Sequence, residues 1–129
     1  PSSAASDVYK RQIIGLPHET ISDYIATARY ISDSGASGIK ISLLHILKDT
    51  DLYNDYCKGL FKALTMDEYL AAIGAILPVL PKSMVIHRLT GDGPKNILAA
   101  PLWTADKKRV LNTLSHYLKE NMIYQGKDL

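Results

Sequence analysis

The sequence predicts an α/β fold built on a parallel sheet, and three observations lead there. Apolar segments at Ile13–Leu16 and Gly38–Leu47 enclose one amphipathic helical stretch, at the roughly 30-residue scale of a βαβ unit, whose crossover requires parallel pairing. A second amphipathic stretch then leads into a third apolar segment beginning at Met84. Apolar residues make up 47% of the 129, enough to fill the core that such a sheet needs.

The first twelve residues stand apart. Ser2 to Gln12, Ser-Ser-Ala-Ala-Ser-Asp-Val-Tyr-Lys-Arg-Gln, resembles the in-frame translation of an adapter used in transposase-based DNA sequencing. A scar of that kind is set aside before fold reasoning, so native sequence is expected from about Ile13, with the gene truncated at its 5′ end. Ile13 to Leu16 reads as the end of a buried strand, stopped by Pro17, which has no amide to donate. Thr20 and Asp23 have capping-box spacing. Behind them Ile21, Tyr24, Ile25, Ala28 and Ile31 form one apolar stripe, on a helix running to about Ser34 and closed by Gly35.

Gly38 to Leu47 reads as one strand. Ile39, Ile41 and Leu43 alternate with Lys40 and Ser42 before the run becomes continuously apolar. Leu52 to Lys58 can make two helical turns, closed by Lys58-Gly59. Thr65 and Glu68 form a second capping box, opening a helix with Tyr69, Leu70, Ile73, Ile76 and Leu77 on one face and ended by Pro78 and Pro81. Val85 and Ile86 form the third strand, short and buried. Asn96 to Trp103 is expected as a loop with apolar anchors. Thr104 caps a last helix in which Val110, Leu111, Leu114 and Leu118 face inward, and the tail from Gly126 frays.

Composition excludes several classes. The formal charge of +2 is too small to argue by itself for nucleic acid or an anionic membrane. No apolar run approaches the roughly 20 residues of a membrane span, and there is no signal-peptide pattern. The single cysteine, Cys57, excludes an internal disulfide. A reducing cytoplasm is the expected location.

The densest polar cluster follows the third strand, where His87, Arg88, Thr90 and Asp92 fall within six positions beside Gly91 and Gly93. A strand delivering ionisable groups at its carboxyl end is how α/β enzymes present chemistry to an open loop. Turn chemistry alone accounts for the glycines, Asp92 and Pro94. His87, Arg88 and Asp92 are the candidate catalytic set, since histidine titrates near neutral pH and arginine holds anions bidentately. His45 and His87 lack the close spacing of a metal site, so no metal ligands are expected.

Four stretches carry a family resemblance: Gly15-Leu16-Pro17-His18-Glu19-Thr20, the run Gly38 to Thr50, Val85 to Pro94, and Ala100-Pro101-Leu102-Trp103. Together they resemble the C-terminal half of the YhcC/YtqA-type radical SAM proteins, over Ile13 to about Lys127. The resemblance implies the C-terminal part of an incomplete (β/α) radical SAM barrel plus a helical C-terminal extension, with residues 13–51 as the last βα units and 52–129 as the extension. Leu52 to Asp92 also resembles the extension shared with the catalytic subunit of Elongator, a tRNA-modifying complex. The implied activity is reductive cleavage of S-adenosylmethionine at a [4Fe-4S] cluster fed by a reductant, giving a 5′-deoxyadenosyl radical that acts on an unidentified substrate. Gly15, Leu16, Pro17, Leu44, His45, Ile46 and Leu47 are the implied cofactor contacts. The Elongator likeness implies tRNA as an alternative substrate, for which Lys48, Lys58, Lys62, Lys82, Arg88 and Lys95 would line one face; the charge is not clustered, and the plainer reading is scattered solvated side chains.

The sequence departs from the family pattern in places. The Cys-x-x-x-Cys-x-x-Cys triplet whose thiolates hold the cluster is absent, so this stretch alone is expected to be inactive. Cys57 stands without electropositive or metal partners and is read as incidental. His18 and Asp49 each replace a usual glycine, and Ser42 a common histidine. A non-catalytic α/β interaction domain remains the third reading.

Overall fold

The structure, a computed structural model, describes residues 9–88 and 95–129. The chain is α/β. Strands β1 (Tyr9–Ile14), β2 (Gly38–Leu43) and β4 (Val85–Arg88) form a parallel sheet in the order β1-β2-β4. In its register Tyr9 lies beside Gly38 and Gly38 beside Val85. Helix α1 (Ile21–Asp33) links β1 to β2, which is the expected βαβ unit. After β2 come β3 (Ile46–Leu47), α2 (Asp51–Cys57) and α3 (Met66–Ile76). Beyond β4 come β5 (Leu98–Ala100) and α4 (Lys107–Glu120).

The helix starts form as local chemistry dictates. Asp23 accepts from both the amide and the hydroxyl of Thr20, at 2.7 and 3.1 Å. Thr65 and Glu68 exchange hydrogen bonds at 3.0 and 3.1 Å, satisfying two orphan donors at the first turn of α3. The inward stripes then meet. Tyr24, Ala28 and Ile31 of α1, Tyr69, Leu70, Ile73 and Ile76 of α3, and Val110 and Leu114 of α4 bury one sheet face, against Ile14, Ile39, Ile41 and Leu43. The opposite face leaves Tyr9, Arg11, Ile13, Lys40 and His87 at the surface.

Several expectations are corrected. The first strand starts at Tyr9, so residues 9–12 of the adapter-like segment pair with β2, and the strand stops at Ile14 rather than Leu16. The run Gly38–Leu47 is two strands rather than one, because Ile46 and Leu47 leave the parallel sheet to pair antiparallel with β5. Asn96–Trp103 is accordingly no simple loop but contains β5, and there are five strands among the described residues where three were expected. Val85 is 51% exposed, since no helix among the described residues covers its side of the sheet. Asp106, not Thr104, caps α4, accepting from the Arg109 amide at 3.2 Å; Thr104 instead turns its hydroxyl back to Pro101 O at 2.7 Å. Leu111 is exposed at the rim of the α4 stripe. The tail does not fray: Gly126 N donates to Leu77 O and Asp128 N to Pro78 O, while the Gln125 amide donates to Pro81 O and Met84 O.

Candidate functional site

The carboxyl ends of β1 and β2 are joined by a hydrogen bond from Leu44 N to Ile14 O at 2.8 Å. One residue further on, Gly15 has φ 98°, a conformation that glycine adopts without strain. A Cβ placed there would lie 3.3 Å from Leu64 Cδ1 and 3.6 Å from Leu44 Cβ. The turn after β1, the first residue after β2 and the segment before α3 therefore close on one another. Above them opens a cleft of about 430 Å³, walled on one side by Gly15 to Glu19 and on the other by Phe61 to Thr65, with Tyr24 and Glu68 between.

Its electrostatics come from a few side chains. Glu19 and Glu68 line the cleft together with Lys62 and His18. Burial pushes the Tyr24 phenol above its ordinary range, and the carboxylates of Glu19, Glu68 and Asp23 add to that push against the opposing hydrogen bond from Gly15. Leu16 leaves an apolar edge exposed at the mouth.

Gly15, Leu16 and Pro17 line this cleft and Leu44 abuts Gly15. His45 and Leu47 are half-buried, while Ile46 is buried at 1% exposure in the β3–β5 pair. His87 is exposed on β4, its ring edge-on to Tyr9 at 4.2 Å between centroids. Arg88 closes β4, its side chain outside the described part, and Asp92 lies outside the described residues. Lys48, Lys58, Lys62 and Lys82 are exposed, and the side chain of Lys95 again lies outside the described part. The second wall, Phe61 to Leu64, was missed as a contact of the first. Its sequence signal is Leu60-Phe61-Lys62-Ala63-Leu64, mostly apolar about one lysine and set directly against the Thr65 cap.

The residues fit one of the two implied groups. A cleft of this size is within the range of small-molecule sites, roughly 300–1,000 Å³. Its bare glycine floor, apolar edge and two lining carboxylates, Glu19 and Glu68, suit a cationic nucleoside such as S-adenosylmethionine. They do not fit an iron–sulfur cluster. Cys57 is the sole cysteine of the sequence and is exposed, and among the described residues no group of three His, Cys, Asp or Glu side chains is placed to hold a metal ion. No helix among the described residues is long and apolar enough to cross a membrane.

Comparison with known proteins gives a consistent picture. The Radical_SAM C-terminal domain family matches residues 36–120. The chain is 38% identical over 115 residues to the uncharacterized protein YtqA of Bacillus subtilis, covering 89% of this chain and 36% of that protein. It is 30% identical over 131 residues to the uncharacterized protein MJ0486 of Methanocaldococcus jannaschii, covering 95% and 41%. With protein YhcC of Escherichia coli it shares 27% over 117 residues, covering 91% and 38%. The chain thus spans well under half the length of these relatives. Among solved structures, Methanocaldococcus infernus Elp3 with an N-terminal deletion superposes with a TM-score of 0.77 at 17% identity, over 96% of this chain and 29% of that one, a likeness of fold.

Proposed function

The chain belongs to the Radical_SAM C-terminal domain family, and on that basis we propose that it forms one wall of the S-adenosylmethionine site of a longer radical SAM enzyme. The observation that carries this reading is the Gly15 floor, a side-chain-free position under an open cleft at the carboxyl ends of two parallel strands, where α/β sheets receive ligands. Backbone at Gly15 lets the nucleoside approach, and Leu16 and Leu64 give the adenine an apolar face. Glu19 and Glu68 oppose the positive charge of the sulfonium and ammonium. When bound, S-adenosylmethionine would supply the radical chemistry, and ligands for a cluster would have to come from outside these residues. For His87, Arg88 and Asp92 we infer a role toward the substrate. The uncovered second sheet face supports a larger assembly, because parallel sheets are covered on both faces.

Calorimetric titration of the chain with S-adenosylmethionine tests this. Saturable binding is expected, weakened about tenfold by Leu16→Ala, the scale of losing one partly exposed leucine contact. A folded chain that binds no S-adenosylmethionine overturns the reading. The chain by itself is expected to form no 5′-deoxyadenosine.

A further inference from the structure

Trp103 is not among the residues lining the cleft, yet it is fastened to the cleft wall. Its indole Nε1 donates to Leu64 O at 2.9 Å, across 39 positions of sequence. Its ring lies 5.3 Å from that of Tyr69, which is buried in α3. The Trp103 backbone is itself held, because Thr104 N and Oγ1 both return to Pro101 O and Asp106 N donates to Trp103 O. Leu64, the residue so gripped, is the one whose side chain stands 3.3 Å from a Cβ placed on Gly15.

We propose that Trp103 is a positioning residue for this cleft: by fixing the Leu64 carbonyl it sets the gap between the Leu64 side chain and the Gly15 turn. A wall joined through a half-buried tryptophan to a buried tyrosine moves less than a free loop, and a ligand seated against it loses less in ordering that wall. The inference rests on the cleft taking S-adenosylmethionine.

Trp103 is the sole tryptophan of the chain, so its emission reports on the contact directly. Trp103→Phe keeps a ring against Tyr69 and removes the N–H together with the pyrrole part of the indole. The expected result is affinity for S-adenosylmethionine lower by about fivefold, the order of one neutral hydrogen bond, measured by calorimetry well below the melting temperature. A merely structural role would lower the melting temperature and leave the affinity of the folded protein unchanged, and that outcome overturns the proposal. Should Trp103→Phe not fold, the wild-type emission decides. A saturable shift on adding S-adenosylmethionine supports the coupling, and an unchanged spectrum at calorimetric saturation overturns it. Binding that persists and responds to Leu16→Ala but not to Trp103→Phe defeats this inference alone. A folded wild-type chain with no binding defeats the cleft reading and this inference with it.

Discussion

The amide of Gly15 donates to the phenolic oxygen of Tyr24 at 3.1 Å, so the turn after the first strand is fastened to the first helix by one side chain. Tyr24→Phe leaves that amide without its acceptor in a partly buried place. The expected loss is about 1 kcal/mol of stability, read as a lower urea midpoint with an unchanged m-value. Because Gly15 floors the cleft, S-adenosylmethionine binding should weaken as well.

Among the described residues, three other than glycine sit in the left-handed region: His18 at φ 67°, Asp49 at φ 65° and Met122 at φ 53°. Met122 follows α4, where Ile123 N returns to Leu118 O at 2.9 Å, the arrangement in which helices prefer glycine. Met122→Gly should raise stability by about 1 kcal/mol, since the left-handed cost of roughly 1–2 kcal/mol exceeds or matches the entropy that glycine adds to the unfolded chain. His18→Gly and Asp49→Gly should gain less, because histidine and aspartate tolerate this region better. Thermal melts of the three variants check the order.

Gln12 is 2% exposed. Its Nε2 donates to Tyr24 O at 2.9 Å, and its Oε1 has no hydrogen-bond partner among the described residues. An orphaned buried acceptor costs about 1–3 kcal/mol. Gln12→Leu removes it within an apolar strand face and should raise the melting temperature; a fall would show that the bond to Tyr24 outweighs the orphan.

Alkaline pH should unfold the chain. Burial holds the phenols of Tyr24 and Tyr69 above their ordinary 10.0, so both ionise more readily unfolded than folded. Their contribution is fully present below pH 10.0 and is lost as the pH rises above it. Urea midpoints measured from pH 8 to pH 11 should decline beyond about pH 10, and Tyr69→Phe should flatten that decline.

What the sequence revealed was mostly local. Thr65 and Glu68 announce a helix start because both partners lie within four residues, and the stripe through Tyr24, Ala28 and Ile31 follows from helical period. The break after Leu43 could not be seen that way. A continuous apolar run looks the same whether it stays in one sheet or leaves to pair with Leu98–Ala100, about fifty residues on. Thr104 and Asp106 both have capping chemistry, and only the turn at Pro101 decides between them. For the cleft, Gly15 to Pro17 could be found from glycine and proline in a strand-to-helix turn. Leu64 and Trp103 could not, since their contact joins segments 39 positions apart. The tail was misjudged for a related reason, as composition does not reveal that Gln125 finds two carbonyls at Pro81 and Met84.

That anchoring of the tail has a practical consequence. Gly126 and Asp128 are bonded to Leu77 and Pro78, in the stretch leading to the amino end of β4, whereas the cleft opens at the opposite ends of the parallel strands. A biotin or affinity handle joined after Leu129 would tether the protein to a sensor chip with the cleft turned toward the flow. Small molecules could then be screened on immobilised protein without the attachment point obstructing their entry.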